Sequence, residues 1–362
     1  MIVGFGQHAR NSWLRSIKNH PDWELTGIVD TDTELLSHAS EMNLGIEEDQ
    51  VYCKLDEVWR FADKPDAMVI ATPIYTHHVL VKDALDHGVN VICEKNMAST
   101  IYQGKQMLQA ALDHPNLGTA LGVQRRYSTQ IWTLKNYLND PNKEIGDINL
   151  IQWNDAFNWG QYREGWRQFL TELFAEDQMI HWFDLLRYTT GMDIVQVYMD
   201  SFIPSGIKWQ GSSTVFANLA LAKPENFGDR HKWVWCRFYG DWQRKGPRDA
   251  HTETREICGT KGKLILDGPW IKTYIYTDET GNKWEEDGVM PMENILNLGT
   301  KFEGQGIILE QMKRCIDSNG EKQPDNNFRD VFKSFAAVMA AIDSSRSGQA
   351  KYVPAYWNGF KI

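Results

Sequence analysis

The feature that most constrains this chain of 362 residues is a rhythm in its first third. Residues 1–122 alternate short apolar runs with helix-patterned segments, and each connection is short. Such a sequence buries its strands most readily as a parallel sheet covered by helices on both faces. The runs predict strands at Ile2–Phe5, Leu25–Asp30, Ala67–Ala71, Val89–Cys93 and Gly118–Gly122. Helices are predicted through Trp13–Ile17 and over Thr33–Met42, Thr76–His87 and Ser99–Leu112.

The turn after the first strand carries chemistry. Gly4-Phe5-Gly6-Gln7-His8-Ala9 reads G-x-G-x-x-A. The first glycine permits a tight turn, the second lets backbone approach a pyrophosphate, and small Ala9 lets the following helix pack on the sheet. An acid, Asp30, closes the next strand. A carboxylate there accepts ribose hydroxyls and repels a 2′-phosphate, and no Lys or Arg follows it closely, so NAD is favoured over NADP. The plainer role for Asp30 is to cap the helix at Thr33, for which Asp32 is better placed.

After Val123 the pattern changes. Helices are predicted over Thr129–Leu138 and from about Asp177 to Tyr188, with a strand at Ile148–Trp153 between them. Period-two runs follow at Ser213–Ala222, Lys232–Tyr239, Thr254–Cys258, Lys263–Leu266 and Ile271–Tyr276, and they predict an antiparallel sheet. Helices return at Gly306–Cys315 and Arg329–Ser344. The expected fold class is α/β plus α+β: a dinucleotide-binding domain over 1–122 and an open-sheet domain over 123–362 that binds substrate and carries subunit contacts.

Composition narrows the partners. A net charge of -10 argues against a nucleic-acid binder, and no window reaches the ~20 apolar residues of a membrane helix. The chain opens straight into a strand, with no pattern of a signal peptide. Five scattered cysteines without a CxxC pair fit a reducing cytoplasm rather than a disulfide framework or zinc site. No His/Asp/Glu cluster has the spacing of metal ligands. Of fifteen tryptophans, twelve lie beyond residue 130, so most are expected in sheet faces and subunit contacts and some in stacking on a sugar.

Two further segments carry a resemblance. Ala71-Thr72-Pro73-Ile74-Tyr75-Thr76-His77 is followed by Ala84-Leu85-Asp86-His87-Gly88-Val89-Asn90-Val91-Ile92-Cys93-Glu94-Lys95. With the E-x-x-G-T-x-G run from Glu256 to Gly262 and a closing stretch from Ser344 to Pro354, the chain resembles the Gfo/Idh/MocA oxidoreductases over nearly its whole length. That resemblance implies a Rossmann domain, an open-faced sheet domain and an active site between them. It implies a catalytic Lys95 and a catalytic Asp177–His181 pair in Asp177-Gln178-Met179-Ile180-His181. Trp166-Arg167 stands where the family often has a Trp-Arg pair. Thr72, Pro73, His77 and Glu94 fall at family positions beside the cofactor. Arg126 and Tyr127 are candidate substrate contacts, together with Trp166.

The same helix reads without the family. Met179, Ile180, Trp182, Phe183, Leu185 and Leu186 make it apolar on most sides, while Asp177, His181 and Asp184 form one polar line. That line meets either polar partners inside a core or a wet cleft. The chain departs from the family at Asn96 for the proline after the lysine, at Glu172-Leu173 for a glycine pair, and at Met179 for a glycine. Three functions stay open: a dehydrogenase acting on a sugar, polyol or glycoside; an NAD-retaining enzyme that cleaves glycosides by transient oxidation; and a non-catalytic sensor. A homo-oligomer, dimer or tetramer, is expected through the second domain.

Overall fold

The computed structural model describes the chain apart from residues 43, 159–164, 208, 244–253 and 294–301. Two compact units emerge, one of residues 1–124, 301–332 and 362, the other of 125–300 and 333–361. The first boundary falls two residues beyond the expected one. The second unit is not continuous, however, because the helix Gln305–Asp317 packs with the N-terminal unit. Its apolar face (Ile307, Ile308, Leu309, Met312, Cys315) is buried, and Met312 and Cys315 close over Gly118, where an added Cβ would stand 2.6 and 2.9 Å from their sulfurs. Sequence separation hides such a return, since the burial that fixes it is non-local.

The first unit holds a six-stranded parallel sheet: β1 (Ile2–Val3), β2 (Ile28–Val29), β3 (Val51–Tyr52), β4 (Ala67–Ile70), β5 (Asn90–Cys93) and β6 (Thr119–Leu121). Their spatial order is β3-β2-β1-β4-β5-β6. The order reverses between β1 and β4, which makes the carboxyl ends of those strands the switch point where open α/β sheets take ligands. Helices α1 (Arg15–Lys18), α2 (Thr33–Glu41), α4 (His77–Asp86) and α5 (Ile101–Asp113) follow expected segments, as does α6 (Thr129–Asn139) of the second unit, whereas α3 (Leu55–Phe61) was not expected. Asp32 caps α2 by accepting from the N–H groups of Glu34 and Leu35. The sequence reading overlooked β3 and the helix Leu55–Phe61, because a two-residue strand in a polar stretch carries no period.

The second unit is built on nine strands: β7 (Ile148–Ala156), β8 (Asp193–Phe202), β9 (Thr214–Ala222), β10 (Val234–Asp241), β11 (Arg255–Gly259), β12 (Gly262–Asp267), β13 (Trp270–Tyr276), β14 (Trp284–Val289) and β15 (Lys351–Tyr352). Their order is β14-β13-β12-β11-β7-β10-β9-β8-β15. The sheet is mixed rather than antiparallel throughout, since β10 runs parallel to β7 over the whole of their pairing. Strand β8 escaped the sequence reading because a register shift between Ile194 and Gln196 puts Ile194 and Val195 both inside, breaking the alternation. Strand β14 escaped it for the opposite reason: Trp284-Glu285-Glu286 has no apolar face, as suits an edge.

One face of this sheet is covered by α7 (Ile180–Thr190), every residue of which is buried, while Ser344 and Ser345 of the helix Phe328–Ser347 accept from the backbone N–H groups of Met199 and Ser201 on β8. Trp153, Trp182 and Trp242 are core residues, whereas Trp270 and Trp284 on β13 and β14 are more than half exposed. Trp209 and Trp357 are buried as well, so five tryptophans beyond residue 130 serve packing.

Candidate active site

In the first unit the glycine loop leaves β1 at the switch point. Gly4 has φ +88, and a Cβ on it would lie 2.8 Å from the backbone of Ala71 and Thr72, so only glycine fits. Gly6 is the opposite case: a Cβ there would meet nothing within 4 Å. That open side is what a pyrophosphate lying on the loop requires. Gln7 and His8 are exposed, and Ala9 is buried where the helical run begins, with a wide π turn over Ala9–Leu14.

Asp30 does more than wait for a ribose. Its carboxylate accepts from the backbone N–H of Phe5 at 2.6 Å and of Asp32 at 2.9 Å, tying the end of β2 to the loop. A carboxylate has about four acceptor positions, so two such bonds leave room for ribose hydroxyls. The residues present thus fit an NAD molecule: Gly4, Gly6 and the helix start for the phosphates, Asp30 for the ribose.

Glu94 is the hinge of this cluster. It is buried, and it accepts from Trp13 Nε1 at 2.7 Å, faces His8 Nε2 at 2.9 Å and accepts from the Lys95 backbone N–H at 3.1 Å. Burial pushes the Glu94 carboxyl up, but His8, the Lys95 charge and the Trp13 hydrogen bond outweigh it and hold the group below its ordinary range. Gly122 makes room, since a Cβ there would stand 2.9 Å from Glu94 Oε1. Trp13 was not foreseen as part of the site; an aromatic one helical turn beyond the glycine loop reads as packing until its indole N–H is given a partner. Half-buried Lys95 follows at the end of β5, and the Lys95–Asn96 peptide is cis where the family has a proline.

His77 was expected beside the cofactor. It is fully buried, with Nε2 at 2.9 Å from the Thr72 carbonyl and Nδ1 at 2.9 Å from that of Asn96. It staples the Thr72-Pro73 turn to the turn after Lys95. Burial pushes its pKa down, against the facing carbonyls, which favour the protonated ring. Thr72 itself accepts from the Thr76 hydroxyl at 2.7 Å, which fixes the start of α4 after Pro73.

In the second unit Trp166, Arg167 and Asp177 come together. The Arg167 guanidinium lies 4.5 Å from the Trp166 ring centroid and donates through Nε to Asp177 Oδ2 at 3.1 Å. A π turn over Ala175–Met179 carries Asp177 into α7 and on to His181, and both side chains are buried. Phe174, standing in the rebuilt segment, fills the space above Gly240, where a Cβ would come within 2.3 Å of its ring.

Arg126 and Tyr127, expected as substrate contacts, are both buried. Arg126 is buried in a two-point pair with Asp184, Nε to Oδ2 at 2.6 Å and a terminal nitrogen to Oδ1 at 2.5 Å. Tyr127 is wholly buried, edge-on to Tyr188. The polar line of α7 is therefore divided: Asp184 meets polar partners inside the core, while Asp177 faces Arg167. Arg125 and Arg255 both lie against Trp182, at 4.5 and 4.8 Å from its ring centroid. Among the described residues, His20, Asp22 and Glu310 bring three metal-capable atoms within 4.8 Å. His20 Nδ1 accepts from the Asp22 N–H at 3.3 Å and Nε2 faces Glu310 at 3.4 Å, an ordinary histidine–carboxylate contact.

A six-stranded parallel sheet in Rossmann order, with an open glycine loop after β1 and an acid just past β2, defines a dinucleotide-binding fold. The pattern of the Gfo/Idh/MocA family, described as an oxidoreductase family with an NAD-binding Rossmann fold, matches residues 1–120, the first third of the chain. An uncharacterized protein of Sinorhizobium fredii is 22% identical over 99% of this chain and 96% of its own length. Inositol 2-dehydrogenase 1 of Paenarthrobacter aurescens is 27% identical, over 54% of this chain and only 55% of that protein, about half of each. Among solved structures, an Agrobacterium radiobacter oxidoreductase in complex with NAD+, L-tartaric acid and magnesium superposes with a TM-score of 0.76 at 20% identity, covering 98% of both chains.

Proposed function

We propose that this protein is an NAD-dependent dehydrogenase or reductase that moves hydride between nicotinamide and a secondary alcohol carbon of a sugar, polyol or glycoside. The observation that carries the reading is the open side of Gly6 beside Asp30 and Glu94, with Lys95 following directly on the strand. Bound NAD would supply the hydride acceptor. Lys95 donates a hydrogen bond to the reacting oxygen and steadies its developing negative charge. His181 accepts the hydroxyl proton, a task suited to a group that titrates near neutrality. Asp177, held by Arg167, stabilises the imidazolium that results. Preference for NAD over NADP follows from the Asp30 carboxylate, which opposes a 2′-phosphate.

The outer face of the nine-stranded sheet supports assembly of like subunits: Leu150, Phe202 and Phe216 are exposed on it. The five cysteines, all free, fit a reducing cytoplasm. Among the described residues no helix is long and apolar enough to cross a membrane.

The test is absorbance at 340 nm with purified protein, NAD and a panel of sugars, polyols and glycosides. Turnover that disappears in Lys95→Met and His181→Ala supports the reading. A flat trace with NAD released on denaturation points instead to a retained cofactor and glycoside cleavage. Protein that neither carries nor binds NAD overturns the assignment.

A further inference from the structure

Helix α7 is buried on every side, yet five of its eleven residues, His181, Asp184, Arg187, Thr189 and Thr190, are polar or charged. Hydrophobic burial by itself has no direction, whereas hydrogen bonds and ion pairs do. A chain of such directed contacts on one side therefore adds to the packing of Trp182 and Phe183 in setting the rotation of α7 about its own axis. Asp184 takes both arms of Arg126 and the Ser334 hydroxyl at 2.8 Å; Ser334 accepts from Arg187 at 2.8 Å; Arg187 pairs with Asp193 at 2.8 Å, and Lys333 donates to Asp193 at 3.0 Å. All of these side chains except Lys333, which is largely buried, are nearly inaccessible.

We infer that Arg126 and Asp184 are positioning residues for His181, which lies one helical turn before Asp184. This rests on the reading of His181 as the proton acceptor. Buried ion pairs seldom add stability over apolar side chains of the same volume, so holding orientation is the better account of this one. Side chains reach roughly 5–6 Å from a helix axis, so a 20° rotation of α7 moves the His181 ring by about 2 Å. Displacements near 1 Å at a reacting group cost on the order of 100-fold in rate.

The test replaces the pair by apolar side chains in the full-length protein, Arg126→Met with Asp184→Leu. The expected result is an unchanged or higher urea midpoint, a KM for NAD within about twofold, and kcat lowered roughly 10- to 100-fold. The His181 ring signals, identified by their loss in His181→Gln and followed by nitrogen-15 NMR of the protein without substrate, should move. A folded double variant with wild-type kcat and unmoved ring signals overturns the inference. Should the double variant not fold, Arg126→Lys keeps the charge and gives up the two-point geometry. It should lower kcat about 5- to 10-fold and shift the ring signals, and wild-type values for both overturn the inference. If the wild-type protein turns nothing over, the proposed reaction is wrong, yet the ring signals still decide the positioning role.

Discussion

The two glycines of the nucleotide loop should separate stability from binding. Alanine at Gly4 must adopt φ +88 and bring its Cβ to 2.8 Å from the backbone of Ala71 and Thr72. A left-handed backbone costs an L-residue about 1–2 kcal/mol, and overpacking against atoms that cannot yield adds about 1–3 kcal/mol. Gly4→Ala should therefore lose about 2–5 kcal/mol in urea unfolding followed by tryptophan fluorescence. Alanine at Gly6 meets nothing within 4 Å, so its stability should stay within about 1 kcal/mol of wild type. Its new methyl group instead occupies the face reserved for the pyrophosphate. A clash of about 1–3 kcal/mol there weakens NAD about 5- to 150-fold, read by calorimetric titration. Wild-type NAD affinity in Gly6→Ala would refute the placement of the phosphates, and wild-type stability in Gly4→Ala would refute the geometry of the turn.

Asp30→Ala should weaken NAD and narrow the preference over NADP; it should also cost about 1–3 kcal/mol, because the Phe5 N–H loses its acceptor. Trp13→Phe removes a donor to a buried carboxylate and should cost about 1.5–3 kcal/mol in the same unfolding assay. Burial lowers the His77 pKa below its unfolded value of about 6.5, so as pH falls below that value the unfolded chain takes up the proton before the folded one does. Its contribution is whole above that pH and falls by about 1.4 kcal/mol per unit as pH drops towards the lowered folded value. His77→Asn should make the acid slope of the unfolding free energy, read from urea titrations, shallower by up to that amount, and an unchanged slope would count against a lowered His77 pKa.

The first unit was legible because its signals are local. Glycines that need a positive φ or a close approach, an acid at a strand end and a lysine after a buried strand are all read within a few residues. The helical frame of α7 was equally plain. What sequence could not supply was the partner of each buried charge. Arg126 and Asp184 are 58 residues apart, and only folding shows that the arginine faces inward. The carbonyl contacts of His77 were hidden for the same reason, since a histidine at a helix start looks the same in sequence whatever its ring faces. The parallel pairing of β7 with β10 was likewise invisible, because alternation reports which face is buried and not which neighbour lies alongside.

The setting of Glu94 bears on how this protein can change over time. Its carboxylate needs the Trp13 indole as donor, His8 beside it and the missing side chain of Gly122 for space. These positions belong to separate segments of the chain yet share one contact, so substitutions among them are not independent. A larger residue at 122 is tolerable only after Glu94 shortens, and a shorter acid no longer reaches Trp13. Descendants of this sequence are expected to keep Trp13, Glu94 and Gly122 together or to replace them together, while exposed Gln7 in the same loop is free to drift.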